Sequence, residues 1–382
     1  MSSGGVHSSG PYPHQPHPAL HGRTDARVDH RIDRRTEVHR SIVIWTGIFL
    51  LTVAALFSAV GILNRELYSA NAFVRIYLDA VADRDVAAAL ATPGVDLGTD
   101  DTPGTGEAAL LSPDALGGLR DLALVSDTEI APDRHRVVYS YTLVGTSGQP
   151  QAGRTAAGSK PPEVQGQTEF DVVRTGTSWL FFAEWAFQRS PTARATVTVT
   201  HASDFTAGRT QIDTGDPAAF HSTGDYVVLV PSVTRLSHDS EYLGANPVSL
   251  TATTASKSVS AIVDVQPTTR FLGAVQDEVN GFLDDCAAQP LLYPPGCPFG
   301  LDVNDRIATE PAWSIESYPM LTILAGQDSW VVPNAGGSAR VSVDIRSLFD
   351  GTVSTLEESI PYSVTFALSI TPDGAISFAP RG

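Results

Sequence analysis

The chain has 382 residues, a formal net charge of −17 and only two cysteines. So acidic a chain argues against a nucleic-acid partner, which demands a basic face. Two cysteines exclude a disulfide-dense mini-scaffold and a four-cysteine zinc site. Hydrophobic residues at 42% and charged residues at 18% exclude general disorder, and 32 Gly with 26 Pro demand many turns, hence β structure.

Residues 1–22 are rich in Ser, Gly, Pro and His and hold nothing that forms a core, so disorder is expected. A run of alternating charge follows: Arg23, Asp25, Arg27, Asp29, Arg31, Asp33, Arg35, Glu37. On a helix this pattern sets like charges four residues apart, which is mildly unfavourable, so a solvated segment is expected. Residues 1–40 form a cytoplasmic tail in this reading. Residues 41–63 carry no charge and match the ~30 Å core of a bilayer as one helix at ~1.5 Å per residue. A cleaved signal peptide has a shorter apolar region, so an uncleaved signal-anchor is expected. Orientation follows from arginine asymmetry. Arg23, Arg27, Arg31, Arg34, Arg35 and Arg40 precede the span, whereas only Arg65 and Arg75 closely follow it. The amino end is therefore expected in the cytoplasm and residues 64–382 outside. The tail holds six basic and four acidic residues, and the part beyond the span 19 and 38.

Residues 64–189 read as helix, then strands. Phe73, Ile76, Tyr77, Ala80 and Val81 fall on one helical face, with a break at Asp83-Arg84-Asp85 and an end at Thr92-Pro93-Gly94. Ser112-Pro113-Asp114 reads as a second helix start. Val137, Tyr139, Tyr141 and Leu143 alternate with polar or smaller residues, as do Phe170 and Val172. Trp179, Phe181, Trp185 and Phe187 share one face of a last strand, and residues 145–166 read as an exposed, mobile insertion. The run Phe73-Val-Arg-Ile-Tyr77-Leu-Asp-Ala80, with Asp85 and the closing Trp179-Leu-Phe-Phe and Trp185, resembles the NTF2-like α+β cone superfamily. The resemblance implies a cone whose cavity is filled, binds a ligand, or in enzymatic members transfers protons. Tyr139, Tyr141, Trp179 and Trp185 are the pocket candidates it suggests.

Residues 190–267 show short alternating strands around Val197 and Val199, Tyr226 to Val230, and Val259 to Val265, as in a small β-sandwich. The run Gly224 to Val230 resembles small surface domains of the PEGA type. His221, Asp225, Asp213 and Asp216 come nearest to a metal cluster but match no defined spacing, so they read as turn residues and no cofactor is expected. Residues 268–382 begin with an amphipathic stripe, Leu272, Val275, Val279, Phe282 and Cys286. Cys286 and Cys297 lie eleven positions apart on the oxidising side of the membrane, with no second ligand pair for zinc and no CxxC, so a structural disulfide is expected. A β meander closes the chain, with Ala339 to Ile345 and Ile360 to Ile370 as its long alternating strands. Helix followed by meander repeats the plan of residues 64–189 and suggests a second NTF2-like unit.

The fold class expected is therefore α+β: one transmembrane helix, an NTF2-like cone, a small β-sandwich and a second helix-plus-meander domain. The layout resembles uncharacterised single-pass envelope proteins of high-GC Gram-positive bacteria and, in module order alone, teicoplanin-resistance-associated membrane proteins, whose frequent cytoplasmic zinc ribbon is absent. No Walker A, G-x-S-x-G or H-E-x-x-H motif occurs. The sequence thus reads as a non-enzymatic, membrane-anchored binding or scaffold protein of the cell envelope, with an envelope protein, peptide or cell-wall fragment as partner. The alternatives are a sensor signalling through its tail and an enzyme using the cone cavity. Small residues Ala54, Ala55, Ser58 and Ala59 permit close approach of two spans, so a weak homodimer is expected.

Overall fold

The computed structural model describes residues 33–145, 163–178, 182–215, 220–371 and 374–380. Expectations for residues 1–32 and for most of the insertion at 145–166 lie outside the described residues. Two compact units divide near residue 62. The first is dominated by helix α1 (Asp33–Glu66), which contains a 25-residue stretch, His39–Leu63, long and apolar enough to cross a membrane. Among the described residues none of that stretch is buried, as a lipid-facing helix requires.

The second unit opens with α2 (Ala70–Ala82), whose first turn is capped by the Ser69 hydroxyl accepting from the Ala72 amide at 3.3 Å. Arg84 adopts a positive φ of 60° and breaks the helix where the charged triplet predicts. Asp85 then caps the short α3 (Val86–Leu90). The buried face of α2 is Ala70, Val74, Tyr77, Leu78 and Val81, and Ile76 points to solvent, so the predicted stripe is rotated by part of a turn. The expected helix at Ser112 is instead a turn, in which the Ser112 hydroxyl accepts from the Ala115 amide. Gly117 lies too close to the carbonyls of Val144 and Val233 for a side chain to fit. The chain leaves this turn as a strand that the sequence reading missed. Strands β1 (Gly118–Ala131), β2 (Arg134–Val144), β3 (Glu163–Ser178) and β4 (Phe182–Phe187) form an antiparallel sheet in that order. Val137, Tyr139, Tyr141, Leu143, Phe170, Val172 and Phe187 turn inward against α2, in the alternation that the sequence predicts.

A sandwich of two four-stranded sheets follows. Its strands are β5 (Thr192–Thr200), β6 (Asp204–Ala207), β7 (Thr210–Asp213), β8 (His221–Leu229), β9 (Ser232–Ser237), β10 (Leu243–Ala245), β11 (Val248–Ala252) and β12 (Ser258–Pro267). One sheet runs β10-β12-β5-β8, with β12 parallel to β5, and the other β11-β9-β6-β7. Thr268 then caps α4 (Thr269–Ala287). It packs on a six-stranded sheet of β13 (Arg306–Ile307), β14 (Ala312–Ser317), β15 (Leu324–Ala325), β16 (Trp330–Arg346), β17 (Val353–Ile370) and β18 (Ile376–Pro380). The first three strands pair successive stretches of β16, while β17 and β18 extend the sheet on its other side. The architecture is mixed α+β, as the sequence predicts.

The cores do not end at the element boundaries. One apolar cluster runs from Ala193 and Phe205 of the sandwich through Phe271 and Val275 of α4 to Val341 and Leu368 of the last sheet. The boundary near residue 267 is therefore a change of element type and not a break in the core. The first module borrows Leu229 and Val233 from the sandwich to finish its own cluster. At this seam the fully buried Tyr77 hydroxyl lies 2.9 Å from the Val230 carbonyl and 3.1 Å from that of Pro191. The Pro191 carbonyl also accepts from the Val230 amide at 2.8 Å, so removing the hydroxyl strips the donor chiefly from the buried Val230 carbonyl, a loss worth about 1–3 kcal/mol. Tyr77→Phe should lower the urea midpoint of a protein spanning residues 64–382 accordingly, with an unchanged slope; an unaltered midpoint would show that the hydroxyl does not tie the modules.

Candidate binding groove

Of the pocket residues expected in the first module, Tyr141 borders an open recess of about 480 Å³ with Asp121, Ser140, Thr142 and Gln165. Tyr139 and Tyr141 are buried in the core. The Tyr139 hydroxyl donates to the Asn71 carbonyl at 3.2 Å. The Thr168 hydroxyl donates to the Thr253 carbonyl at 2.7 Å, so the Tyr141 hydroxyl, 2.6 Å from Thr168 Oγ1, must be the donor there. Burial pushes both phenols above their usual range, which keeps them protonated and unsuited to act as bases. Trp185 sits at the margin, donating its indole N–H to the Tyr68 carbonyl at 2.9 Å, and Trp179 lies outside the described residues.

One pair escaped the sequence reading. Asp127 of β1 lies 2.7 Å from Nδ1 of His135 on β2, and the Trp185 ring meets the imidazole edge-on at 5.1 Å. Because β1 was not anticipated, nothing in the sequence placed Asp127 beside His135. The carboxylate orients the ring and leaves Nε2 to exchange a proton. Of the weak metal candidates, Asp225 accepts from the Thr196 hydroxyl at 2.6 Å, while His221 packs against the rings of His201 and Phe220. Asp216 lies outside the described residues. Among the described residues no group of three or more His, Cys, Asp or Glu is placed to hold a metal ion.

Cys286 and Cys297 are joined, their Cα atoms 5.7 Å apart. Cys286 is buried on the inner face of α4 with Phe271, Val275, Val279 and Leu283. Leu272 and Phe282, expected in that stripe, are partly exposed instead. The helix carries two adjacent apolar pairs, Phe271-Leu272 and Phe282-Leu283, and periodicity alone cannot choose within each. The structure buries Phe271 and Leu283, which turns Phe282 outward.

Phe282 thereby lines a groove of about 480 Å³ between α4, the bridged loop and the β17–β18 edge. Its walls are Val279 and Phe282 of α4, Cys297 and Pro298 of the loop, Val364 and Phe366 of β17 and Phe378 of β18, with Phe366 and Phe378 in an edge-to-face contact at 5.9 Å. Polar groups are few: Glu278, Ser363 and Thr365. Among the described residues strand β18 pairs with β17 alone, which leaves its outer edge open there. Apolar walls beside an open strand edge suit an extended peptide, whose backbone pairs with the edge while its side chains fill the groove. The sequence reading gave Phe366 and Phe378 only as strand residues; no local signal marks two aromatic rings that meet across a hairpin.

No family model matches the sequence, and no curated protein matches it. Among solved structures, a chain described as an "Ntf2 like protein involved in plasmid conjugation" aligns with 82% of this chain and 95% of its own length, at 10% identity and a TM-score of 0.19. At that score the likeness carries no weight for the reading of the groove.

Two outcomes follow from these geometries. Closing an eleven-residue separation removes about 3 kcal/mol of unfolded-state freedom. Cys286→Ala with Cys297→Ala should therefore lower stability by about 2–4 kcal/mol in denaturant unfolding. Free thiols in the oxidised wild type would refute the bridge. The phenols of Tyr226 and Tyr362 are pushed up to about 12, chiefly by burial. Their folded values exceed the unfolded value of about 10, so the folded state holds these protons more tightly. Their stabilising effect is whole below pH about 10 and is lost as pH rises through about 12. Tyrosinate absorbance should accordingly show these phenols ionising late or together with unfolding. Full ionisation near pH 10 without loss of structure would contradict their burial.

Proposed function

We propose that this chain is a non-enzymatic, membrane-anchored binding protein of the cell envelope, and that the Phe282–Phe366–Phe378 groove takes an extended apolar segment of an envelope protein or peptide. The groove carries this reading: its aromatic walls and open β18 edge offer area and backbone pairing, with few groups for chemistry. A cell-wall fragment, being a polar glycopeptide, finds little there to pair its hydroxyls and amides. The anchor is α1, with its amino end in the cytoplasm on the arginine asymmetry and residues 64–382 outside, where a disulfide persists.

A proton-transfer enzyme is the second reading, favoured by the Asp127–His135 pair. The two readings separate in one experiment. A photo-crosslinking phenylalanine analogue is placed at Phe282 of the full chain in intact cells, in the parent, in Phe378→Asp and in His135→Ala. The binding reading expects a discrete adduct that disappears in Phe378→Asp and persists in His135→Ala. An adduct absent from the parent, or unaffected by Phe378→Asp, would sink it.

A further inference from the structure

We propose that the hairpin tip joining β16 and β17 is a second membrane contact, a wedge that seats in the lipid headgroup interface. This rests on the anchoring reading above and adds to it. β16 and β17 run as a long antiparallel hairpin that ends in residues 347–352. At its end Leu348 is 74% and Phe349 99% exposed, and Val353 and Ile307 flank them with 53% and 37% exposure. A turn built only to reverse the chain needs no large apolar side chain, and two adjacent ones in water are a cost unless something covers them.

The backbone of the tip is unusual in a way that selects the cover. Each amide from Ser347 to Thr352 already donates within the protein. Ser347 donates to the Thr352 carbonyl at 2.9 Å, Leu348 to an Asp305 carboxylate oxygen at 3.1 Å, and Phe349 and Asp350 to the Ser347 hydroxyl at 3.2 and 3.4 Å. Gly351, at φ 76°, donates to the Ser347 carbonyl at 3.0 Å, and Thr352 to Asp350 Oδ1 at 3.1 Å. Entry into an environment short of water is costly for unpaired backbone groups; the amides of this loop are all paired, and its free carbonyls can still meet water at headgroup depth. The Asp350 carboxylate also accepts from the Thr352 hydroxyl at 2.9 Å, which folds the one acid of the turn back on its own loop.

Behind the tip, Arg306 and Arg346 are direct cross-strand partners, both exposed. Like charges directly opposite repel, and neither has an ion-pair partner among the described residues. Two arginines one step behind an apolar wedge match the order of a bilayer surface, phosphate outside and acyl chain within. On the anchoring reading, the covalent tether raises the effective concentration of bilayer around the second unit, so a weak second contact suffices.

Both native cysteines are bonded to each other, so an introduced cysteine takes a nitroxide label alone. The full chain is reconstituted in nanodiscs of equimolar phosphatidylethanolamine and phosphatidylglycerol, with labels at Leu348→Cys, at Lys257→Cys as a surface control and at Leu50→Cys in the span. Collision with oxygen, which concentrates in lipid, is compared with collision with a water-soluble nickel chelate. The wedge predicts an oxygen-favoured signal at 348 and 50 and a nickel-favoured one at 257, with Phe349→Asp returning 348 to nickel-favoured. A nickel-favoured signal at 348 with an oxygen-favoured one at 50 overturns this proposal alone. Loss of nickel access at 348 without gain of oxygen access also overturns it, since protein then covers the tip. A nickel-favoured signal at 50 overturns the anchoring reading and this one with it.

Discussion

The hydroxyl of Tyr77 marks the constraint on which the second unit depends: no module finishes its own core. The helix α2 brings a phenol to the carbonyls of Pro191 and Val230, and the same seam brings Leu229 and Val233 of the sandwich into the first apolar cluster. A second polar thread, from Tyr141 through Thr168 to the Thr253 carbonyl, crosses between the same two modules. Both threads place a polar side-chain atom where the two modules meet. Their bonds carry orientation: apolar contact alone would hold the modules together but would not fix their angle.

Much of the plan was legible from residue pattern. Strand alternation in β2, β3, β12, β16 and β17 placed the inward residues, because a half-buried strand has a period of two and tolerates no drift. The breaks at Asp83-Arg84 and Thr92-Pro93-Gly94 were legible because charge and turn residues leave no helical alternative. The charge-free span was legible from its length. What failed shares one cause. Strand β1 shows a mostly exposed and irregular pattern with bulged register, so it offers no alternation to read. On α2 and α4, adjacent apolar residues made the buried face ambiguous by part of a turn, and only packing against a particular sheet resolves that.

The candidate site inherits both the success and the failure. The bridge between Cys286 and Cys297 was foreseeable from spacing and from the absence of a second ligand pair or CxxC. The groove beside it was not, since it is made by Phe282 turning out of the helix core and by two strands whose rings meet only in the folded sheet. The tyrosines that the resemblance singled out have their hydroxyls bonded to Asn71 and Thr168 and their rings in the core. The Asp127–His135 pair, conversely, needed the unforeseen strand.

The parallel pairing of β12 with β5 has a consequence for how the chain comes to be folded. A ribosome delivers β5 long before β12, and the register from Ser258 with Arg194 to Asp264 with Thr200 closes only when the later strand emerges. Until then β5 holds just β8, and the first module lacks Leu229 and Val233 during the earlier stretch. Each portion therefore waits on its successor, and the apolar cluster reaching from the sandwich to β16 and β17 extends the wait nearly to the carboxyl end. Long-range closures of this kind slow folding and leave strand edges unpaired in the interval. A nascent chain of this design keeps apolar surface uncovered through much of its synthesis, and truncation near residue 267 leaves a fragment with an open core in place of a smaller protein.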